Sequence, residues 1–579
     1  MRPLKLAAMA AALAALTAGA WATLSLAPPR VATETAPAVS LPLDRFGGIP
    51  VRVAEPNGYF QVRKIGNRWV FVTPEGNAFW MLGVFNVSVT GSIDDLKDSQ
   101  LNRVRRKYGD LTVWGMHTAR RLGTWGFNTA AEYSAHYVWP VVSPYGGRWE
   151  NPEKLAFNGL IRVSYYGLRN RGNLAPGPFK DLIVGTDPAV YRNWRGNTTP
   201  DVFDPNFDAY VDGVLRNDRE LRAALASPWL IGITIDDSDN IVGFGPGPDI
   251  AAPRLHPHIG WIVLVTNFQQ TSNPQVGVAA YSDPKVYSKY ALRDFLKSKY
   301  GSIATLNKAW SSTYTTFDSD GGWPSGRGLL DESGRNRWVG NDDGKLSTTA
   351  PAAAADLDAF LYEYAKQYFS VTAVRVRQHA PGRLVIGPAT LNAWGGLTRK
   401  EILRAAGESL DILQATTRRQ DVLDLTAKYA GDIPLIGWTG IVANADSALW
   451  RYRYEISPEV TPLAHTQNER ARLYRGVVLG DFNATTSAGV KPVVGIKFWS
   501  YTDSWGERGN WGLVTFLDNA YDGKEAVRRP GSDAWGYTTG GEERDYGDFI
   551  SAVRETNQSV LHRLRDEIEP GHDSRKTGR

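Results

Sequence analysis

The chain has 579 residues, 42% of them hydrophobic and 11% aromatic, and a formal net charge of +5. That length exceeds one minimal domain and suits a large barrel with insertions, for which the apolar content supplies an ample core. The positive charge is scattered, with nothing longer than the short basic run at residues 103–107, and there is no cysteine. Nucleic-acid binding, disulfides, thiolate metal sites and a lipidated cysteine are thereby disfavoured or excluded.

Arg2 and Lys5 precede an apolar stretch to about Ala18, and Ala20-Trp21-Ala22 has the small-x-small form of a cleavage site. Residues 1–22 are therefore expected to be an export signal, the mature chain secreted or periplasmic and not stably inserted in a membrane once the signal is removed. Residues 23–57 begin rich in Ala, Pro and Thr and read as a flexible spacer. Residues 58–78 read as a hairpin extension, alternating apolar and polar residues about a Gly66-Asn67 turn. The remainder, 79–579, is predicted to be one barrel with insertions and a C-terminal helix.

Within that remainder, residues 79–87 form the first predicted strand, ending at Asn86. A helix at 112–123 leads to a second strand at 126–131, ending near Glu132, and a third strand is expected at 160–166. A helix at 207–225 precedes the fourth strand, where Leu230, Ile231, Ile233 and Ile235 make the apolar run of a strand buried on both faces. After an insertion at 243–288 come helices at 290–300 and 301–310. The longest predicted helix, 356–380, carries Leu357, Phe360, Leu361, Tyr364, Tyr368 and Val371 on one stripe. Strands at 384–388, 411–415, 433–437 and 493–500 and a helix at 551–567 complete the order. Eight strands separated by helices predict an α/β fold, a (β/α)8 TIM barrel with a small N-terminal β extension.

The fourth strand ends in Asp236, Asp237 and Asp239, three carboxylates in four residues. In a barrel of this kind the C-terminal ends of the strands form the catalytic face. If the strand runs on, Asp237 and Asp239 face one way and Asp236 another. Crowded carboxylates raise one another's pKa, as a general acid working near neutral pH needs. The eighth strand runs into Trp499, Tyr501, Asp503, Trp505 and Glu507, rings and carboxylates of the kind that line a sugar subsite. A competing expectation is that Asp503 and Glu507 only order their own loop. The insertion contains His256 and His258, which are expected to line the cleft, although two such His on a strand can also bind a metal. A Ca²⁺ site built from Asp236, Asp237, Asp239 and Asn240 is a further alternative, but its spacing matches no Ca²⁺ loop. No metal or cofactor is expected, and no phosphate-binding glycine loop, His-Glu-x-x-His or Gly-x-Ser-x-Gly motif is present. Oligomeric state is not legible.

Several stretches carry a family resemblance: residues 66–76 leading into Leu82-Gly83-Val84, residues 122–129, the helix pair at 295–310, and residues 498–503 with 510–514. In this order they resemble clan A glycoside hydrolases, most closely the β-agarases of glycoside hydrolase family 50, and more distantly the family 42 β-galactosidases. The resemblance implies a carbohydrate substrate and a catalytic Asn-Glu pair at the end of strand four. Here Asp236 and Asp237 match the two positions before the acid/base and Ser238 stands where the Glu should be. It also implies a nucleophile Glu closing strand seven, where this chain has Trp438. The retaining mechanism of the family therefore does not carry over. Two readings follow: hydrolysis by relocated carboxylates, drawn from Asp237, Asp239, Asp236, Asp503 and Glu507, or a catalytically inactive glycan binder. In either, Asn86, Glu132, His256, His258, Trp438, Trp499, Tyr501 and Trp505 are expected to contact sugar.

Overall fold

The computed structural model describes residues 41–89, 100–163, 201–236, 287–321, 325–330, 350–388, 400–415, 417–439, 443–444, 463–464, 466–503, 512–515, 518–524, 527–528, 543–544 and 548–569. Gly66, at φ 60°, makes the turn that joins β1 (Gln61–Ile65) to β2 (Arg68–Val72), and β3 (Ala78–Phe79) adds to β2 antiparallel. The chain before this hairpin is more ordered than its composition predicts. Phe46, Ile49 and Val51 are buried, and Asp44 closes a turn by accepting from the amides of Phe46 and Gly48. The apolar residues that follow residue 45 supply a reason to fold that the Ala/Pro/Thr stretch lacks.

The predicted first strand is split at Trp80: Phe79 pairs with the hairpin, and β4 (Met81–Val84) enters the barrel. After α1 (Gln100–Tyr108) and α2 (Leu111–Thr124) comes β5 (Thr129–Ala130), shorter than predicted. The third barrel strand is β6 (Ala156–Ile161), not residues 160–166. Asn158 and Gly159 look like loop residues, yet Asn158 is buried, and Gly159 gives Ile233 room, since a Cβ there would lie 2.5 Å from its Cδ1. The predicted helix at 207–225 is broken into α3 (Phe207–Asn217) and α4 (Arg219–Leu225). The break is at Asp218, whose side chain caps α4 by accepting from the Leu221 amide.

β7 (Leu230–Ile235) is fully buried, as its apolar run requires. Beyond it lie α5 (Tyr287–Tyr300), α6 (Ile303–Trp310), α7 (Pro351–His379) and β8 (Leu384–Ile386). Then come α8 (Lys400–Ser409), β9 (Leu413–Ala415), α9 (Gln420–Ala430), β10 (Leu435–Thr439), the short pair β11 (Ala443–Asn444) and β12 (Leu463–Ala464), α10 (Gln467–Asn483), β13 (Val493–Phe498) and α11 (Phe549–Ile568).

Eight strands form one sheet in the order β8-β7-β6-β5-β4-β13-β10-β9, every neighbouring pair parallel. A parallel bridge between Ile386 and Ile412, with the Gly387 amide donating to the Ile412 carbonyl at 2.8 Å, draws the two ends of the sheet together. The predicted (β/α)8 barrel is the fold observed. Among the described residues no helix is long and apolar enough to cross a membrane.

Candidate active site

Three residues that end barrel strands have left-handed backbones: Asn86 (φ 54°) after β4, Tyr133 (φ 63°) after β5 and Asp236 (φ 57°) after β7. Asn and Asp tolerate this region, whereas a bulky Tyr there is an outlier of the kind that clusters at functional edges. The half-buried Asn86 donates its amide to the Glu132 carbonyl at 2.9 Å and accepts from the Ser88 hydroxyl at 2.6 Å.

Asp236 is fully buried, its amide bonded to the Ile161 carbonyl and its carboxylate accepting from the Tyr368 hydroxyl on α7. Burial, and then the negative charge of Asp236, push the Tyr368 hydroxyl far above its ordinary range, so it stays a donor. Asp236 thus points toward the helix layer; β7 ends at Ile235 and Asp236 is left-handed, so the strand does not run on through it as the alternation of Asp237 and Asp239 supposes. Those two residues lie outside the described residues, as do His256, His258, Trp505 and Glu507. The backbone of Trp438 is in β10; its side chain also lies outside them.

Glu132 sits at the centre of the described polar interior with no exposed surface. Its Oε1 accepts from the Thr234 hydroxyl at 2.6 Å, from Gln414 Nε2 at 3.0 Å and from Asn158 Nδ2 at 3.4 Å, and its Oε2 lies 3.1 Å from Lys497 Nζ. Lys497 is equally buried. Burial opposes the Glu132 charge, but Lys497 and the Thr234 hydroxyl outweigh it and hold the carboxyl below its usual range. The carboxylate therefore joins side chains from β6, β7, β9 and β13. The expectation that Glu132 contacts sugar does not fit a side chain with no exposed surface, and no motif marks its four partners in the sequence. The signal available was a single Lys in the apolar strand β13 and a single Gln in β9, buried polar groups that must find each other.

The edge above β13 is aromatic. Half-buried Trp499 packs its ring on Phe85 at 4.8 Å between centroids, and Phe85 in turn meets Tyr133 at 5.2 Å. The Arg162 guanidinium covers the Tyr133 ring at 4.4 Å. Phe85, Tyr133 and Arg162 carry no motif that marks them in sequence. Tyr501 is fully buried, its hydroxyl donating to Asp518 Oδ1 at 3.1 Å and accepting from Arg121 at 3.3 Å. Asp503 is also buried. Its two oxygens accept from the Gly512 amide and the Tyr521 hydroxyl, both at 2.7 Å, and pin the returning chain against the end of β13. Burial outweighs these bonds and raises its pKa to about 6. Loop ordering, the competing expectation for Asp503, is what its two contacts do.

A further buried carboxyl, Asp481 on α10, carries no mark in the sequence. It accepts from the Thr417 hydroxyl and lies against Gly437 of β10, where a Cβ would stand 3.2 Å from its carboxyl carbon; among the described residues its Oδ2 has no hydrogen-bond donor. Burial raises its pKa to about 6, against 3.8 for an exposed Asp. A raised carboxyl pKa makes the native state lose stability as pH climbs from about 4 through about 6, by up to about 3 kcal/mol for a shift of this size. Asp481→Asn should remove that slope. Chemical denaturation at pH 4 and pH 8 should show the variant gaining about 1–2 kcal/mol at pH 8 after allowance for its new amide, with little change at pH 4. An unchanged slope would mean that Asp481 ionises in the folded protein as it does in the unfolded chain, with no raised pKa.

Among the described residues no group of three or more His, Asp or Glu side chains is placed to hold a metal ion. The arrangement offers a rigid, internally neutralised barrel floor, an aromatic rim, and a fourth strand that ends in an anchored Asp and then runs into Asp237 and Asp239.

No family model matches the chain. It is similar to β-agarase B of Vibrio sp. (strain JT0107), with 22% identity over 80% of this chain and 47% of the relative, and to β-agarase A of the same strain, with 22% identity over 62% and 34%. The chain thus spans about half or less of the curated relatives it matches. Among solved structures, PfGH50B superposes with a TM-score of 0.59 at 18% identity, covering 90% of this chain and 69% of that one. An exo-β-agarase gives 0.58 at 18% identity, covering 91% and 67%, and the agarase AgWH50C gives 0.56 at 17%, covering 95% and 70%. The resemblance to family 50 agarases read from the sequence extends to the fold.

Proposed function

We propose that this chain is a glycoside hydrolase acting on an agar-type polysaccharide or its oligosaccharides at the C-terminal mouth of the barrel, through carboxylates other than the usual Glu pair. The observation that carries this reading is the end of β7: in an agarase-like barrel, a fully buried strand closes on a left-handed, anchored Asp236 and runs directly into Asp237 and Asp239. Asp237 is assigned the general acid that protonates the leaving oxygen. Asp239, or Glu507 from the eighth strand, assists attack at the anomeric carbon. Carboxyls about 5 Å apart would permit a covalent intermediate, and about 6.5–9.5 Å would admit a water and invert the centre. In this reading Asp236 and Asp503 are anchored at the ends of the strands that lead to these groups, and Asn86, Trp499, Trp438, Trp505 and the His256/His258 segment provide sugar contacts. The reading includes export: residues 1–22, read as a signal, would carry the protein to where such a polymer is met.

One observation favours a second reading, a glycan-binding protein without turnover. The described carboxylates of this edge, Glu132, Asp236 and Asp503, are all buried with oxygens already bonded to protein groups. The two readings separate in one assay. Purified chain incubated with agarose and with agaro-oligosaccharides is expected to release new reducing ends. Binding in affinity electrophoresis without new ends would favour the second reading, and neither binding nor release would remove both.

A further inference from the structure

Glu132 and Lys497 touch no solvent and so cannot meet a sugar, yet their contacts run upward into the rim. The Glu132 carbonyl holds the Asn86 amide at 2.9 Å. The Lys497 ammonium lies 5.2 Å from the centre of the Phe85 ring. Phe85 is bracketed by the backbone around the end of β13, donating to the Phe498 carbonyl at 2.9 Å and accepting from the Tyr501 amide at 3.3 Å. Its ring is the shared neighbour of Trp499 and Tyr133. An apolar floor would join the same strands but would tolerate sliding, whereas hydrogen bonds to a charge fix direction as well as distance.

We propose that the buried Glu132–Lys497 ion pair is a positioning pair for the barrel mouth, setting where Asn86 and Phe85 stand and, through them, the Tyr133 and Trp499 rings. The positioning role stands on geometry alone; only the statement that the positioned rings meet an agar-type glycan rests on the proposed function. Neither residue is catalytic.

The test uses the full chain carrying Glu132→Gln together with Lys497→Met, which removes both charges and leaves neither stranded. Hydrogen exchange followed by mass spectrometry is read on peptides covering residues 84–89, 131–135 and 498–503, and on the remote segments 61–72 and 549–568. Exchange should quicken roughly ten-fold or more in the first set, the equivalent of losing about one hydrogen bond, and stay unchanged in the second. Affinity for agarotetraose should fall by a similar factor. Thr234→Val, which removes one donor to Glu132, is the milder variant if the double one does not fold; it should quicken the same peptides to a smaller extent. Faster exchange everywhere, or nowhere, would overturn the proposal by reducing the pair to general stability or to nothing. The expected exchange pattern in a protein that neither binds nor cleaves agarose would sink the hydrolase reading and leave the positioning role standing.

Discussion

Asp237→Asn is expected to lower kcat on agaro-oligosaccharides by about 100- to 10,000-fold, the range that a lost general acid or base spans, with affinity for the same oligosaccharide nearly unchanged. Asparagine keeps the size of the side chain and one acceptor oxygen, but it has no proton to give. The scaffold beneath is stiff: β7 is buried along its whole length, pairs with β6 and β8, and ends at an Asp236 held by Tyr368. The substitution should therefore report on chemistry and not on a displaced strand. Initial rates of reducing-end release and titration calorimetry on the same preparation separate the two quantities. If turnover survives within a few-fold, Asp237 is not the acid and the proposed assignment at this strand fails. If only affinity changes, the residue is a sugar ligand, as the glycan-binder reading requires.

Glu132→Gln alone should cost about 3–5 kcal/mol of folding stability, the loss seen when one member of a buried ion pair is removed. Such a loss is a large share of the roughly 5–15 kcal/mol that holds a domain together. The reason is the stranded partner. Lys497 has no exposed surface, and a glutamine amide turned toward its ammonium sets donor against donor. Adding Lys497→Met should recover much of the loss, because a neutral thioether chain of similar length is at home in a barrel core. Urea unfolding of the two single variants and the double variant closes the cycle. A double variant no more stable than Glu132→Gln would show that the carboxylate matters through Thr234, Gln414 and Asn158 and not through the cation.

What could be read in the sequence was what is local. The apolar run at Leu230–Ile235 and the stripe along α7 announce themselves within a few residues, and both elements are where they were expected. The third strand was placed late because Asn158 and Gly159 mimic a loop, and only the fold shows that one bonds to Glu132 and the other makes space for Ile233. Helices α8, α9 and α10 were not anticipated. On α10, Arg470 and Asp481 are buried, so its inward face is not the purely apolar stripe a pattern search seeks. The polar hub was illegible for a deeper reason. Its members stand at positions 132, 158, 234, 414 and 497, four of them the single polar residue of a strand and Glu132 just past β5, and nothing but barrel closure makes them neighbours. Asp503 and Tyr501 were rightly placed at the end of the eighth strand, but sequence gives no sign that both turn inward to protein partners.

The underside of the barrel carries a quieter arrangement. Arg68 of the hairpin is 1% exposed, its guanidinium over the Phe482 ring and its Nε 2.9 Å from Glu567 of the last helix, where Lys491 also arrives at 2.8 Å. The hairpin and the last described helix are thus latched to one another. A nascent chain has all eight barrel strands in hand before it has this latch, because Glu567 is among the last described residues to be made. Until then the hairpin holds a cation whose carboxylate partner has not yet been synthesised, so this latch ties the two ends together only once the chain is nearly complete.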